Sequence, residues 1–537
     1  MSKKRQMNRR KFLELQALGT MGLIIGCKKD EPNPTPEPDP DPSTFLENYT
    51  KAIVIGSGFG GAVSALRLGQ AGIDTKILER GKRWPIQTDG NTFSSLITPD
   101  KRSAWLETES IAPINPLNLS SSFEKHIGVL ERVRYPEIDV YTGACVGGGS
   151  VVYGGITIAP EESLFSQVFP AEISYSELKN TYFPRVIQML NARPIPADLR
   201  DSDYFQFTRV GAAHAENIGL PVQYFDSVYD WDIIKSEIAG DIPPSAIAGE
   251  IIYGVNSGAK KSLDQNYLPA AEATGFVEIL VQHQVRNISQ IEDGYYQIEV
   301  ELISESGEVL SVKNFHCQYL FMGAGSLGTT RLLMRAKAKG GLSAINDTLG
   351  QGWGSNGATM ASRSGLTEPT GQFQSSPSSS AVLDLNNPIS PTVLDMANLP
   401  LGFDCNCLIH LGLSMDSNRG NFVYDTATDD VLLNWTKNGV PKAAIEDVLQ
   451  RLNAANGGTM GHILSLPETR DDLTYHPLGG AVMGETCDFF GRVKGYDKLY
   501  VMDGALIPGS TACANPSLTI AGIAERNIEK IILEDIG

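Results

Sequence analysis

The sequence predicts an α/β protein of two domains, one of them a nucleotide-binding domain built from distant segments of the chain. Three observations carry that expectation. The 537 residues suffice for two or three domains and a large buried core. Lys51 to Arg80, KAIVIGSGFGGAVSALRLGQAGIDTKILER, reads as strand, tight turn, helix, strand. Tyr319 to Gly328, YLFMGAGSLG, repeats the strand–glycine–helix turn much later in the chain.

The first stretch is the more informative. Ile53, Val54 and Ile55 form a short apolar run suited to a strand buried on both faces. Gly56, Gly58 and Gly61 follow at G-x-G-x-x-G spacing, with Phe59 and Gly60 between them. The first glycine turns the chain, the second admits a pyrophosphate to the backbone, and the third brings helix against strand. Ala62, Ala65, Leu66 and Gly69 recur at helical spacing. Thr75 to Leu78 is the second strand, ended by Glu79, where a carboxylate can accept hydrogen bonds from a ribose 2′-OH. Triplet, context and acid together specify a Rossmann-like unit that binds a dinucleotide. NAD and FAD fit this stretch equally.

Composition is that of a globular protein, 42% hydrophobic and 20% charged. The net charge of −18 argues against a nucleic-acid partner, whose affinity comes from basic contacts to phosphates. The seven cysteines lack zinc-site spacing, so no metal site is expected. Cys405 and Cys407 are C-x-C and are expected to pack rather than pair.

The first 27 residues read as an address. Lys3, Lys4, Arg5, Arg9, Arg10 and Lys11 make a basic region, and Ala17 to Gly26 is apolar but too short to span a bilayer. Leu23-Ile24-Ile25-Gly26-Cys27 looks like a bacterial lipobox, with Cys27 as the acylated residue, and Asn8 to Leu13 resembles a twin-arginine signal. A plain Sec signal is the alternative. Residues 28–48 begin with a Pro- and acid-rich spacer that would hold a domain away from a lipid surface. The expectation is an exported, membrane-anchored lipoprotein, periplasmic or at the cell surface.

Residues 82–141 read as a loop-rich insertion, and Gly143 to Gly155 as a glycine run packed against something flat or charged. Glu172 to Leu190 is helical with a kink at Pro184, and Asp203 to Ile218 is helical with a structural His214. Val277–Gln282, Tyr296–Ile303 and Glu308–Phe315 read as a three-strand meander. The last third holds three pieces that can carry chemistry. His476 sits beside proline and glycines in YHPLGG, Asp503-Gly504 ends a strand, and Asn515 precedes Pro516 at the start of the last helix.

In order and spacing these pieces resemble the glucose–methanol–choline (GMC) family of flavin oxidoreductases, and within it the subgroup of cholesterol oxidases with non-covalently bound FAD. The resemblance runs from residue 50 to 537. It rests on IVIGSGFGGAVSALRLGQAG, VGGGSVVYGG, KKSLDQNYL, LFMGAGSLGTTRLL, GQGWGSNG, RGNFVYD, YHPLGG and GRVKGYDKLYVMDGALIPGS. It implies FAD rather than NAD. It also implies an FAD-binding domain from 49–85, 140–160, 250–345 and 470–537, and a substrate-binding domain of mixed sheet and helices from 86–139, 161–249 and 346–469.

Carried over to this chain, the resemblance implies that Gly56, Gly58, Gly61 and Glu79 hold the pyrophosphate and ribose, with Phe59 and Gly60 beside them. Gly148, Gly149, Tyr153, Gly154 and Ile156 line the flavin, and Val285 meets the adenine side. Asp503, Gly504 and Pro516 complete the cofactor set, and His476 and Asn515 face the reacting carbinol. Asp404 takes the place of the family's glutamate, the proton shuttle of sterol isomerisation, with a side chain one methylene shorter. Tyr153 stands where relatives have asparagine.

The implied activity is oxidation of a sterol's 3β-hydroxyl to the ketone by hydride transfer to flavin N5, with Δ5-to-Δ4 isomerisation expected to survive less well than oxidation. The acceptor is O₂ or a quinone or cytochrome. Two alternatives stand beside it: a GMC dehydrogenase of another bulky alcohol with a non-oxygen acceptor, and a non-catalytic sterol-binding lipoprotein.

Overall fold

Tyr49–Ile55 forms β1, and its residues Ala52, Ile53 and Val54 are fully buried. The chain turns at Gly56, enters α1 (Phe59–Gln70) and returns as β2 (Thr75–Leu78), parallel to β1. β3 (Val277–Leu280) adds parallel to β2. β4 (His283–Gln290), β5 (Tyr296–Ile303) and β6 (Val309–Met322) then form an antiparallel meander whose last strand runs back parallel to β1. The sheet order is β3-β2-β1-β6-β5-β4, and the strand Leu499–Val501 adds parallel to the end of β6. α2 (Gly325–Ala338) leaves β6 through the second glycine turn.

The expected meander is therefore shifted. Val277–Leu280 belongs to the parallel edge, and His283–Gln290 is a strand the sequence reading missed. Glu172–Leu190 appears as Tyr175–Glu177, a π-helical turn over Leu178–Tyr182, and Phe183–Leu190 with Pro184 in its first turn. A wide turn just ahead of a proline relieves the missing donor.

A second, antiparallel sheet contains β7 (Ala358–Ser364), β8 (Ser380–Asp384), β9 (Thr392–Ala397) and β10 (Leu408–Ser414), in the order β7-β10-β9-β8. Alternation along the strands gives it two faces. Ala361, Val382, Leu394 and Met396 pack into one core cluster with residues of the helix Gln206–Glu216 and of α3 (Val440–Asn456). Met360, Asp395, Ala397 and Leu411 point the other way, into the cavity described below. His214 lies on the helix side, buried against Arg363, in keeping with the structural role expected of it.

The computed structural model describes residues 41–537, except 88, 113–121, 399, 401 and 461–468. Residues Leu46–Gly537 form one compact unit; of the unit before it, the described part is a single turn at Pro42–Thr44. The basic stretch, the apolar segment ending at Cys27 and most of the spacer lie outside the described residues. Among the described residues no helix is long and apolar enough to cross a membrane.

Candidate active site

The glycine turn owes its shape to close backbone approaches. Gly56 has φ +90°, and a Cβ there would lie 2.6 Å from Gly323 O. At Gly60 a Cβ would stand 1.9 Å from Met502 O, so the strand Leu499–Val501 can follow β6 only if residue 60 has no side chain. Gly61 packs α1 on the turn, 2.1 Å from Gly56 O by the same measure. It does not line the cavity, which assigns it to packing rather than to contact with the pyrophosphate.

Glu79 is buried at the end of β2. Its Oε2 accepts from Ser57 N and Ser57 Oγ at 3.1 and 2.7 Å, and its Oε1 accepts from Gly81 N at 2.8 Å. These bonds fix the carboxylate at the cavity wall with lone pairs left for a ribose.

A continuous cavity of about 470 Å³ begins at this turn. Gly56, Gly58, Phe59, Gly60, Glu79, Val285, Gly148, Gly149, Tyr153, Gly154, Ile156, Asp503, Gly504, Pro516, His476 and Asn515 all line it. At Gly149 an added Cβ would meet nothing within 4 Å, so this wall is open backbone. The second glycine turn is locked by Asp503, whose Oδ2 accepts from Gly325 N at 2.8 Å. Burial pushes the Asp503 carboxyl up to about 6.

The far end of the cavity is polar and unpaired. His476 is held by its backbone, whose N–H donates to Thr474 Oγ1 at 2.9 Å while the threonine hydroxyl donates to Ser355 O. Its Nδ1 is buried without a partner, and burial lowers the imidazole to about 4, so it is neutral at ordinary pH. Asn515 caps α4 (Pro516–Ile531) from an extended backbone. The loop before it is strained, with Ala512 and Cys513 at φ +58° and +63°. Asn356 holds that loop, accepting from Thr511 N and donating to Ala514 O, both at 2.8 Å.

Asn515 Nδ2 donates to Asp395 Oδ2 at 3.0 Å. Asp395 lies on β9, is 1% exposed, and lines the cavity; its Oδ1 and Asn515 Oδ1 have no partner. Burial drives this carboxyl up to about 7, and the bond from Asn515 opposes that only in part. Sequence reasoning missed Asp395. The signal available was a lone acid within the apolar run Val393-Leu394-Asp395-Met396. It also passed over Lys260, a buried ammonium lowered to about 7, whose Nζ donates to Tyr153 O at 2.9 Å and Ile251 O at 2.8 Å and so ties two cavity walls together.

Asp404 is not part of this constellation. It is exposed and outside the cavity, and its carboxylate accepts from Thr370 N, Gly371 N and Asn406 N, bonds that hold it below the usual carboxylate range despite the opposing cost of burial. The expected proton shuttle is corrected accordingly: Asp404 closes a loop. Cys405 and Cys407, expected to pack unpaired, are joined to each other in a disulfide, with Cα atoms 5.2 Å apart.

The residues present fit FAD. A glycine-walled channel leads past a fixed carboxylate to a polar end, where Tyr153 Oη, His476 Nδ1 and the Asn515–Asp395 pair have unmet hydrogen-bonding capacity. Among the described residues no cluster of His, Cys, Asp and Glu could hold a metal ion.

The chain is similar to known proteins in sequence and in fold. A family model described as "GMC oxidoreductase, C-terminal" matches residues 356–465, and one described as "GMC oxidoreductase" matches 438–524. A cholesterol oxidase of Mycobacterium tuberculosis is 23% identical over 557 residues, covering 88% of this chain and 89% of that protein. One from Acinetobacter baumannii is 24% identical over 552 residues, covering 89% and 94%. Among solved structures, a fungal aryl-alcohol oxidase aligns with a TM-score of 0.60 at 14% identity, covering 92% of this chain and 100% of the other. A formate oxidase of Aspergillus oryzae RIB40 studied for its FAD modification aligns at 0.61 and 14%, covering 91% and 99%.

Proposed function

We propose that this chain, which belongs to the GMC oxidoreductase family, oxidises the 3β-hydroxyl of a sterol to a ketone. Membership sets the coarser activity: an FAD-dependent oxidoreductase that takes an alcohol and passes its electrons to an acceptor such as O₂. When bound, FAD supplies the acceptor for the hydride of the carbinol. The observation that carries the sterol reading is the cavity's far end. There His476, Asn515 and Asp395 meet apolar walls from Ile251, Ile252, Met360 and Leu411.

In this reading the carbinol O–H donates to the neutral His476 imidazole, which takes the proton as the C–H bond is broken. The Asn515 amide, one N–H committed to Asp395, offers its other N–H and its Oδ1 to orient the oxygen. The Asp395 carboxyl can both hold and release a proton near neutral pH. We assign to it, instead of Asp404, the proton transfer that moves a β,γ double bond into conjugation.

The test is anaerobic titration of the holoenzyme with a panel of steroid alcohols, followed by air. Loss of the flavin absorbance with 3β-hydroxysteroids, and hydrogen peroxide on aeration, support a sterol oxidase. Loss of absorbance without peroxide supports a dehydrogenase with another acceptor. No loss with any steroid overturns the reading. We further propose attachment to a lipid surface through Cys27, supported by the Leu23–Cys27 sequence. Labelled palmitate should enter the full chain and not Cys27→Ser; equal labelling of both refutes the anchor.

A further inference from the structure

The polar wall of the cavity does not end at the catalytic cluster. The segment Gln374–Ser380 carries five serines, all buried, and in Ser376, Ser378, Ser379 and Ser380 the hydroxyl has no partner. Buried hydroxyls ordinarily find one. Ser378, 6% exposed, is the member of this run that lines the cavity, together with Asn398.

Strand register gives their distance from the reacting end. Ala381 on β8 lies opposite Asp395 on β9. The strands are antiparallel, so Ser378, three residues before Ala381, and Asn398, three residues after Asp395, lie in the same direction from that pair. Both lie just beyond the strand ends; with the chain kept extended at about 3.3 Å per residue, each stands about 10 Å from that pair. Between them and the Asn515–Asp395 pair, Ala397 faces the cavity, while Leu411 and Met360 lie level with Asp395 on the next two strands. The site is thus polar, then apolar, then polar again.

From this we infer that the preferred substrate is a rigid apolar alcohol carrying a second hydrogen-bonding oxygen about 10 Å from its carbinol, received by Ser378 and Asn398. The inference rests on the sterol-oxidation reading and narrows it. A sterol whose far end is hydrocarbon would displace water from Ser378 and return no hydrogen bond, a loss that an oxygenated frame avoids.

The experiment measures dissociation constants by anaerobic flavin reduction in the holoenzyme. The probes are cholesterol and 3β-hydroxysteroids of the same ring system bearing a ketone or hydroxyl on the D ring or side chain. The oxygenated probes should bind roughly three- to tenfold tighter, the range of one hydrogen bond. Ser378→Ala should bring the ratio close to one, while Ser378→Thr, which keeps a hydroxyl, should retain it. Equal or tighter binding of cholesterol by the wild-type protein overturns the inference and leaves sterol oxidation standing. A preference that survives Ser378→Ala overturns the role of Ser378. Absence of reduction by every steroid sinks the underlying reading instead.

Discussion

Replacing Asp395 by Asn removes one titrating group from the wall of the cavity and leaves its shape. In the wild-type chain burial moves that carboxyl from an ordinary 3.8 to about 7. Between those values the folded protein keeps a proton that the unfolded chain has released, so stability falls as pH rises across the window. Each pH unit is worth about 1.4 kcal/mol, which makes the whole effect about 4 kcal/mol, complete below about pH 4 and lost above about pH 7. An amide cannot titrate, yet its oxygen still accepts the Asn515 N–H. Asp395→Asn should therefore gain about 3 kcal/mol on the wild-type holoenzyme between pH 5 and pH 8. Unfolding midpoints in urea at the two pH values read this directly. A difference between the two proteins that changes by less than about 0.5 kcal/mol across the window would refute the buried acid. The same variant, given a Δ5 sterol, should accumulate the unconjugated ketone.

His476→Asn should slow flavin reduction by roughly 10²–10⁴-fold, the range of a lost general base. The wild-type rate should show no break between pH 6 and 7 from this residue, since burial holds it near 4. Asp404→Asn should leave the ratio of ketone isomers unchanged and lower the thermal midpoint, because three backbone N–H groups lose a charged acceptor. Gly60→Ala sets a Cβ 1.9 Å from Met502 O, so the purified protein should lack bound FAD. A flavin spectrum of normal intensity would contradict the tight crossing described for that turn.

The parts of the site that are local in sequence were legible in it. Gly56, Gly58 and Glu79 announce themselves because turn, helix start and strand end lie within one short stretch, and their roles follow from backbone geometry. His476 and Asn515 were legible only through resemblance, since neither has a local pattern that separates it from a structural polar residue. Asp395 and Asp404 were exchanged for a physical reason. Both are single acids within ten residues of each other, on β9 and in the loop that follows it, and what separates them is which way each side chain faces. One stands on the cavity face of a paired strand, and the other closes a loop with backbone donors. The strand His283–Gln290 escaped notice because the register shifts between Val285 and Asn287. That bulge breaks the period of two that marks a half-buried strand.

The strand Leu499–Val501 has a consequence for how this chain comes to be folded. It runs beside the end of β6, and the residue that follows it, Met502, closes against Gly60. The first glycine turn is thus completed by residues synthesised some 440 positions later. Contacts of such long sequence separation form slowly, and they cannot form while the C-terminal segment is still being synthesised. The dinucleotide site should therefore appear all at once and late, when the last strand arrives. A chain shortened by its final forty residues would lack Leu499–Val501 and α4, and with them any means of holding the cofactor that its first hundred residues specify.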